Sequence, residues 1–201
     1  MPLAPVETDL HDAILDAMER LLARFGYKKT TMDDLAREVD IGKGTIYLHF
    51  PSKEEVALQS IDRVVDRVHA QLKTIAGSDA SVAERLERML VQRVLQRFDS
   101  VSAYSQSLDD LFESLRPAYM SRRQRYFELE ADLFTEVLLE GRGQKVFDVA
   151  DPRATAYTLL LATNSLLPYS LSTRELGKRG EIKVRVEAIA RLLLHGLLVR
   201  P

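Results

Sequence analysis

The reactive side chains of this chain first narrow the chemistry by what they fail to form together. The 4 histidines, His11, His49, His69 and His195, lack metal-ligand spacing, and there is no cysteine, which removes disulfides, thiolate metal sites and cysteine nucleophiles at once. No catalytic set and no metal site are expected, so an enzyme is not the reading. The dense cluster is Gly42-Lys43-Gly44-Thr45, followed by Tyr47, His49 and Lys53. It lacks the Gly-x4-Gly-Lys-Ser/Thr order of a nucleotide-phosphate loop and follows a helical pattern where that loop requires a strand. Its residue types suit another task. Lysine fits guanine O6 and N7, a threonine methyl fits thymine, and two glycines let a backbone come close to a large ligand.

Positioning such a cluster requires helices, and the apolar spacing supplies them. Leu10, Ile14, Leu15, Met18, Leu21, Leu22 and Phe25 recur at helical intervals, so a first helix runs from about Asp9 to Phe25 and stops at Gly26. Thr30 or Thr31, with Asp33 or Asp34 three residues on, caps a second helix carrying Met32, Leu35, Ala36 and Val39. Asp40, Ile41 and Gly42 make a tight break, because Asp tolerates the left-handed region and Gly adopts it freely. A very short third helix, Lys43 to Phe50, ends at Pro51, and Ser52-Lys53-Glu54-Glu55 supplies a capping box for a fourth that continues to about Ala76. Two short helices across a three-residue turn, between two longer ones, form a helix-turn-helix.

A recognition helix in a major groove presents its N-terminal side chains to the bases. Gly42 and Gly44 are therefore expected to let the backbone approach DNA closely, and Lys43 and Thr45 to reach base edges, with Lys43 foremost. Tyr47, His49 and Lys53 are expected at phosphates, Lys53 together with the free amides of the fourth helix. Thr30 and Thr31 could add phosphate contacts at the second helix.

From Thr30 to Glu55 the chain reads TTMDDLAREVDIGKGTIYLHFPSKEE, which resembles the DNA-binding signature of the tetracycline-repressor-like (TetR) family. The match covers the first four helices; beyond them it rests on helical character and on Asp151-Pro152 before the penultimate helix. The resemblance implies an all-α fold: an N-terminal three-helix helix-turn-helix domain, residues 1–52, a connecting fourth helix, 53–76, and a ligand-binding and dimerisation domain, 77–201. It further implies a homodimer on a palindromic operator, most often a repressor released by a small molecule. Val39 and Asp40 depart from the family's common Ala and Gly, and Asp40 is expected to point away from DNA or cap the third helix.

The formal net charge is -2, which argues against binding polyanions without selectivity. The first 55 residues hold 7 basic and 11 acidic side chains, so the acids of the first helix must lie away from any DNA face. Met1 to Asp9 reads as neither signal nor anchor, no apolar run approaches a membrane span, and the cytoplasm is the expected compartment.

After Gly77-Ser78-Asp79, helices are expected over roughly Val82 to Phe98, Tyr104 to Leu115, Pro117 to Glu140, Arg153 to Leu167 and Glu181 to Arg200. Candidate loops are Asp99 to Ala103, Gly141 to Asp151 and Ser170 to Gly180. The last two helices are apolar beyond the needs of one small core; Leu160, Leu167, Val186, Ile189, Leu193 and Leu197 are the expected dimer interface. Tyr104, Phe112, Tyr119, Phe127, Phe134 and Tyr157, with Asn164 and Gln106 as polar anchors, could enclose an effector; no cofactor is expected. The competing reading is a helical adaptor that binds protein partners and carries a degenerate helix-turn-helix.

Overall fold

Helix α1 (Glu7–Lys29) buries Ile14, Leu15, Met18, Leu21 and Leu22 along one side. At Gly26 its backbone leaves helical geometry (φ 74°, ψ 169°), the break expected after Phe25. Helix α2 (Met32–Val39) starts at Thr31: the Thr31 hydroxyl accepts from the Asp34 amide at 3.1 Å, and the Thr31 amide donates to the Asp34 carboxylate at 3.0 Å. That selects Thr31 over Thr30 and Asp34 over Asp33 as the cap. Asp40 holds the left-handed conformation (φ 57°, ψ 47°) that the tight turn requires, whereas Gly42 is extended (φ −69°, ψ 143°). The computed structural model describes residues 7–102, 108–170, 175 and 177–199.

The remaining elements are α3 (Lys43–His49), α4 (Lys53–Ala76), α5 (Val82–Val101), α6 (Leu108–Gly143), α7 (Pro152–Asn164), a turn of 3-10 helix at Pro168–Ser170, and α8 (Arg179–Leu197). The architecture is all-α. Helix α4 packs on α1 on one side and on α5 and α6 on the other, so the small N-terminal head and the helical body share it. Ser52 caps α4 by accepting from the Glu55 amide at 3.1 Å, but the box is not reciprocal, because the Glu55 carboxylate turns to α6 instead.

Two expectations are corrected in the body. Helix α5 continues three residues past Phe98, into the segment read as a loop. The helices placed on either side of Pro117 are one, α6. Proline removes an amide donor and frees the carbonyl four residues earlier, and Pro117 and Glu113 both lie on the exposed side of the helix. Buried Leu111, Leu115 and Tyr119 keep the apolar stripe in phase across the proline.

The end of the body is closed by a short backbone clasp. The Asp148 amide donates to the Leu197 carbonyl at 2.8 Å and the Val199 amide to the Val146 carbonyl at 3.1 Å. Phe147, buried, covers Gly141 so closely that no Cβ would fit there. Among the described residues no helix is long and apolar enough to cross a membrane.

Candidate DNA interface and body cavity

Helix α3 is held by its inner face. Ile46 and Phe50 are fully buried in the head core, and Phe50 stacks on the His11 ring with centroids 4.5 Å apart. With those two residues fixed, helical geometry turns Lys43, Gly44, Tyr47 and Leu48 outward. Tyr47 is 48% exposed and Leu48 84% exposed, so Tyr47 is not a core residue. Leu48 is an apolar side chain that the sequence reading missed, and its position between Tyr47 and His49 on a seven-residue helix was the available signal. Gly42 and Gly44 are exposed, and a side chain at Gly44 would project into open space. Thr45 and His49 are half-buried on the flanks.

The cations of this face have partners. The Lys43 ammonium lies 2.7 Å from the Asp33 carboxylate, a hydrogen bond that raises its pKa. Lys53 donates to the Tyr27 carbonyl at 3.0 Å and sits 4.3 Å from the centre of the Tyr27 ring, and partial burial lowers its pKa. Lys53 therefore joins the end of α1 to the start of α4. Thr31 is exposed but committed to its capping box, donating to Asp34 at 2.6 Å. Thr30 is corrected: it is fully buried and its hydroxyl donates to the Gly26 carbonyl at 2.8 Å, so it holds the loop and offers nothing to a phosphate. Asp40 is exposed and does not cap α3, whose N-cap Gly42 carries no side-chain bond.

The acids of α1 are drawn to α4. Arg63 reaches Asp16 and Glu19, each at 2.7 Å, and Arg67 reaches Glu19 at 3.4 Å. The unfavourable charge count of the head is thus neutralised partly within the α1–α4 contact.

In the body, the residues expected around one cavity divide between several, and Tyr119 and Phe127 share only a small one of about 20 Å³. Phe112 and Tyr119 line a cavity of about 40 Å³ between α4, α5 and α6, with Ile61, Val64, Val65 and Arg97 among its other walls. Phe127 and Tyr157, ring centres 5.2 Å apart, belong to a surface groove between α6 and α7. Phe134 is core, and Tyr104 and Gln106 lie outside the described residues. Asn164 belongs to a buried polar cluster that the sequence reading missed. Its side-chain oxygen accepts from Arg93 at 2.8 Å, Thr163 accepts from Arg93 at 2.9 Å, and Glu130 accepts from Arg93 at 2.7 Å and from Arg97 at 2.5 Å. Burial would raise the Glu130 pKa, but the two guanidinium groups outweigh it and hold the carboxyl below its ordinary value.

Head and body are also tied by charge. Arg122 on α6 reaches Glu55 at 2.7 Å and also pairs with Asp62, both on α4, and the Tyr126 hydroxyl donates to Asp62. Burial first, then this bond, pushes Tyr126 above its ordinary range. At the other end of the contact, Lys28 reaches Asp110 at 2.7 Å and Glu113 at 3.1 Å, near the start of α6.

Of the residues expected at a dimer interface, three are buried and three are half-buried. Leu160, Leu167 and Val186 are fully buried in the chain's own core, while Ile189, Leu193 and Leu197 are half-buried against it. The outward apolar residues are Leu161 on α7 and Val184 and Leu192 on α8, exposed by 59%, 65% and 75%. The exposed row Val184, Ala188, Leu192 and Gly196 runs along α8 at four-residue intervals.

Known proteins share both parts. The family model for bacterial regulatory proteins, tetR family, matches residues 14–59. The regulator EthR of Mycobacterium tuberculosis is 34% identical over 104 residues, 51% of this chain and 48% of its own, so the chain spans about half the length of the curated relatives it matches. A transcriptional regulator of the TetR/AcrR family from Thermobifida fusca superposes over 94% of this chain and 98% of its own, with a TM-score of 0.62 and 28% identity. A structure described as the basis for control of antibiotic production by bacterial hormones has the same fold over 96% of this chain and all of its own, with a TM-score of 0.70 and 24% identity. Residues 14–59 thus carry the helix-turn-helix head of the tetR family of bacterial regulatory proteins, and the helical body shares the fold of solved TetR-family regulators.

Proposed function

We propose that this chain is a ligand-responsive transcription regulator that binds a palindromic operator as a homodimer through α3. The observation that carries the reading is the outer face of α3: Lys43, Gly44, Tyr47 and exposed Leu48 on a helix pinned from behind by Ile46 and Phe50. Lys43 reads a base edge, Leu48 meets a thymine methyl, and Tyr47 and His49 fix register on phosphates. One seven-residue helix makes too few contacts for selectivity, and two copies on successive half-sites, about 34 Å apart, multiply them. Pairing of α7 and α8 with their counterparts is supported by Leu161, Val184 and Leu192, apolar side chains exposed in one chain that a second copy would cover.

Small-molecule control is supported by the cavity beside α4 and by the hormone-controlled structure of the same fold. A ligand that favours one spacing of the two heads shifts the population away from the DNA-bound arrangement. The test is selection of bound sequences from a random DNA pool by the wild type, Lys43→Ala and Tyr47→Ala. One enriched palindrome is expected, with selectivity relaxed by Lys43→Ala and affinity lowered evenly by Tyr47→Ala. No enrichment by the wild type overturns the reading in favour of a helical adaptor.

A further inference from the structure

The buried polar cluster of the body is not balanced. Arg93 and Arg97, 1% and 8% exposed, bring two positive charges to one carboxylate, Glu130, and among the described residues their other hydrogen-bond acceptors are neutral: Thr163, Asn164 and backbone carbonyls. Charges removed from water are retained where opposite charge meets them, so one positive charge is left to be matched. Arg97 is the charged wall of the cavity, and Ile61, Val64, Val65, Leu111 and Phe112 are apolar walls. The Asn164 side-chain nitrogen in the same cluster is buried without a hydrogen-bond partner. A groove of about 340 Å³ shares Phe112 and Tyr119 with the cavity and is lined further by Arg116 and Arg123.

We propose that the effector is a small amphipathic carboxylic acid, its carboxylate on Arg97 and its apolar tail against α4 and the start of α6. A guanidinium pairs with a carboxylate through two parallel hydrogen bonds, which a neutral ligand cannot reproduce. A cation would face two guanidinium groups, and a phosphate would lose far more hydration among the aliphatic walls. The cavity as it stands is small, so the tail must part α6 from α4. Arg122 and Tyr126 lie one to two turns along α6 from Tyr119, and both grip α4, which carries the displacement to the head. This inference rests on the proposal that the body senses a small molecule.

The test is calorimetric titration of the full chain with octanoate, 1-octanol and octylammonium at neutral pH, with DNA affinity measured on the selected operator with and without octanoate. Octanoate is expected to bind at least about tenfold more tightly than octanol, and octylammonium most weakly. Arg97→Gln should remove that preference while leaving octanol binding in place. If Arg97→Gln does not fold by circular dichroism, Arg97→Lys must retain the preference. Ile61→Trp, which fills the cavity from the α4 side while keeping both arginines, should weaken both ligands. Equal binding of octanoate and octanol, or no octanoate binding at millimolar concentration, overturns the acid site. Preferential octanoate binding that leaves DNA affinity unchanged upholds the site and defeats its role as effector. Octanoate binding by a chain that binds no DNA upholds the site and defeats the regulator.

Discussion

Replacing Glu130 with leucine puts the buried cluster to a quantitative test. Glu130 is 2% exposed and accepts from Arg93 Nε at 2.7 Å and from Arg97 at 2.5 Å. The substitution leaves Arg93 with Thr163, Asn164 and the Leu160 carbonyl, but leaves Arg97 with only the Arg93 carbonyl among the hydrogen bonds described above. Breaking a buried pair by removing one partner costs about 3–5 kcal/mol, because the charge left behind stays desolvated. For a chain of this size each kcal/mol lowers Tm by roughly 2–4 °C, so a fall on the order of 10 °C is expected in a scanning calorimeter. Removing all three charges, as Arg93→Met, Arg97→Met and Glu130→Leu together, should restore much of it, since no ion is then stranded. The pH dependence has a fixed sign. The Glu130 pKa is lowered in the folded state, so its contribution is complete above its unfolded value of about 4.3 and is lost as pH falls through the folded value. The gap between wild type and Glu130→Leu should therefore be full at neutral pH and close in acid. A Tm change below about 3 °C at neutral pH, or a gap that widens in acid, would refute the account of the cluster.

Three further outcomes are expected. Asp33→Asn frees Lys43 from its exposed ion pair and removes an acid near the DNA face, so operator affinity in a fluorescence anisotropy titration should rise by about two- to fivefold, most at low salt. Leu192→Glu and Leu161→Glu should sediment as folded monomers, whereas Leu160→Ala should cost about 2–5 kcal/mol in urea unfolding with the assembly state kept, because its side chain faces the core. Gly141→Ala drives a methyl into the Phe147 ring and should cost about 1–3 kcal/mol by the same urea assay, with DNA affinity unchanged.

The head was legible because its signals are local. Thr31 and Asp34 three residues apart, Asp40 at a left-handed turn and Ser52 at a helix start each act within one turn of backbone. The third helix's outer face followed from the burial of Ile46 and Phe50. Thr30 was misjudged because two adjacent threonines look alike until the Gly26 break decides which one turns inward. In the body the information is non-local. Helix α7 has leucines at 159, 160 and 161, and only the helices packed on it decide that Leu160 faces in and Leu161 out. Pro117 reads as a break because proline usually is one; its tolerance depends on facing water. Arg93, Arg97 and Glu130 each occupy a core position in an otherwise apolar stripe, such as Leu86, Met89, Arg93 or Tyr126, Glu130, Leu133, and that interruption was a visible signal. Which acid answered which arginine depended on how α5 and α6 meet.

The two charged ties between head and body differ in kind, and the difference sets a mechanical advantage. Arg122 clamps Glu55 and Asp62 in a half-buried setting, while Lys28 meets Asp110 and Glu113 on the open surface. One acts as a pivot and the other as a catch, and along α6 from residue 110 to residue 122 they stand about 18 Å apart at 1.5 Å per residue. Swinging the head by about 10° around the pivot opens the catch by roughly 3 Å, enough to break it, while the pivot itself hardly moves. Ionic strength should then tune the swing more than the grip: salt loosens the exposed catch first, and a head released at one corner can sweep α3 through an arc without the body unfolding or the core repacking.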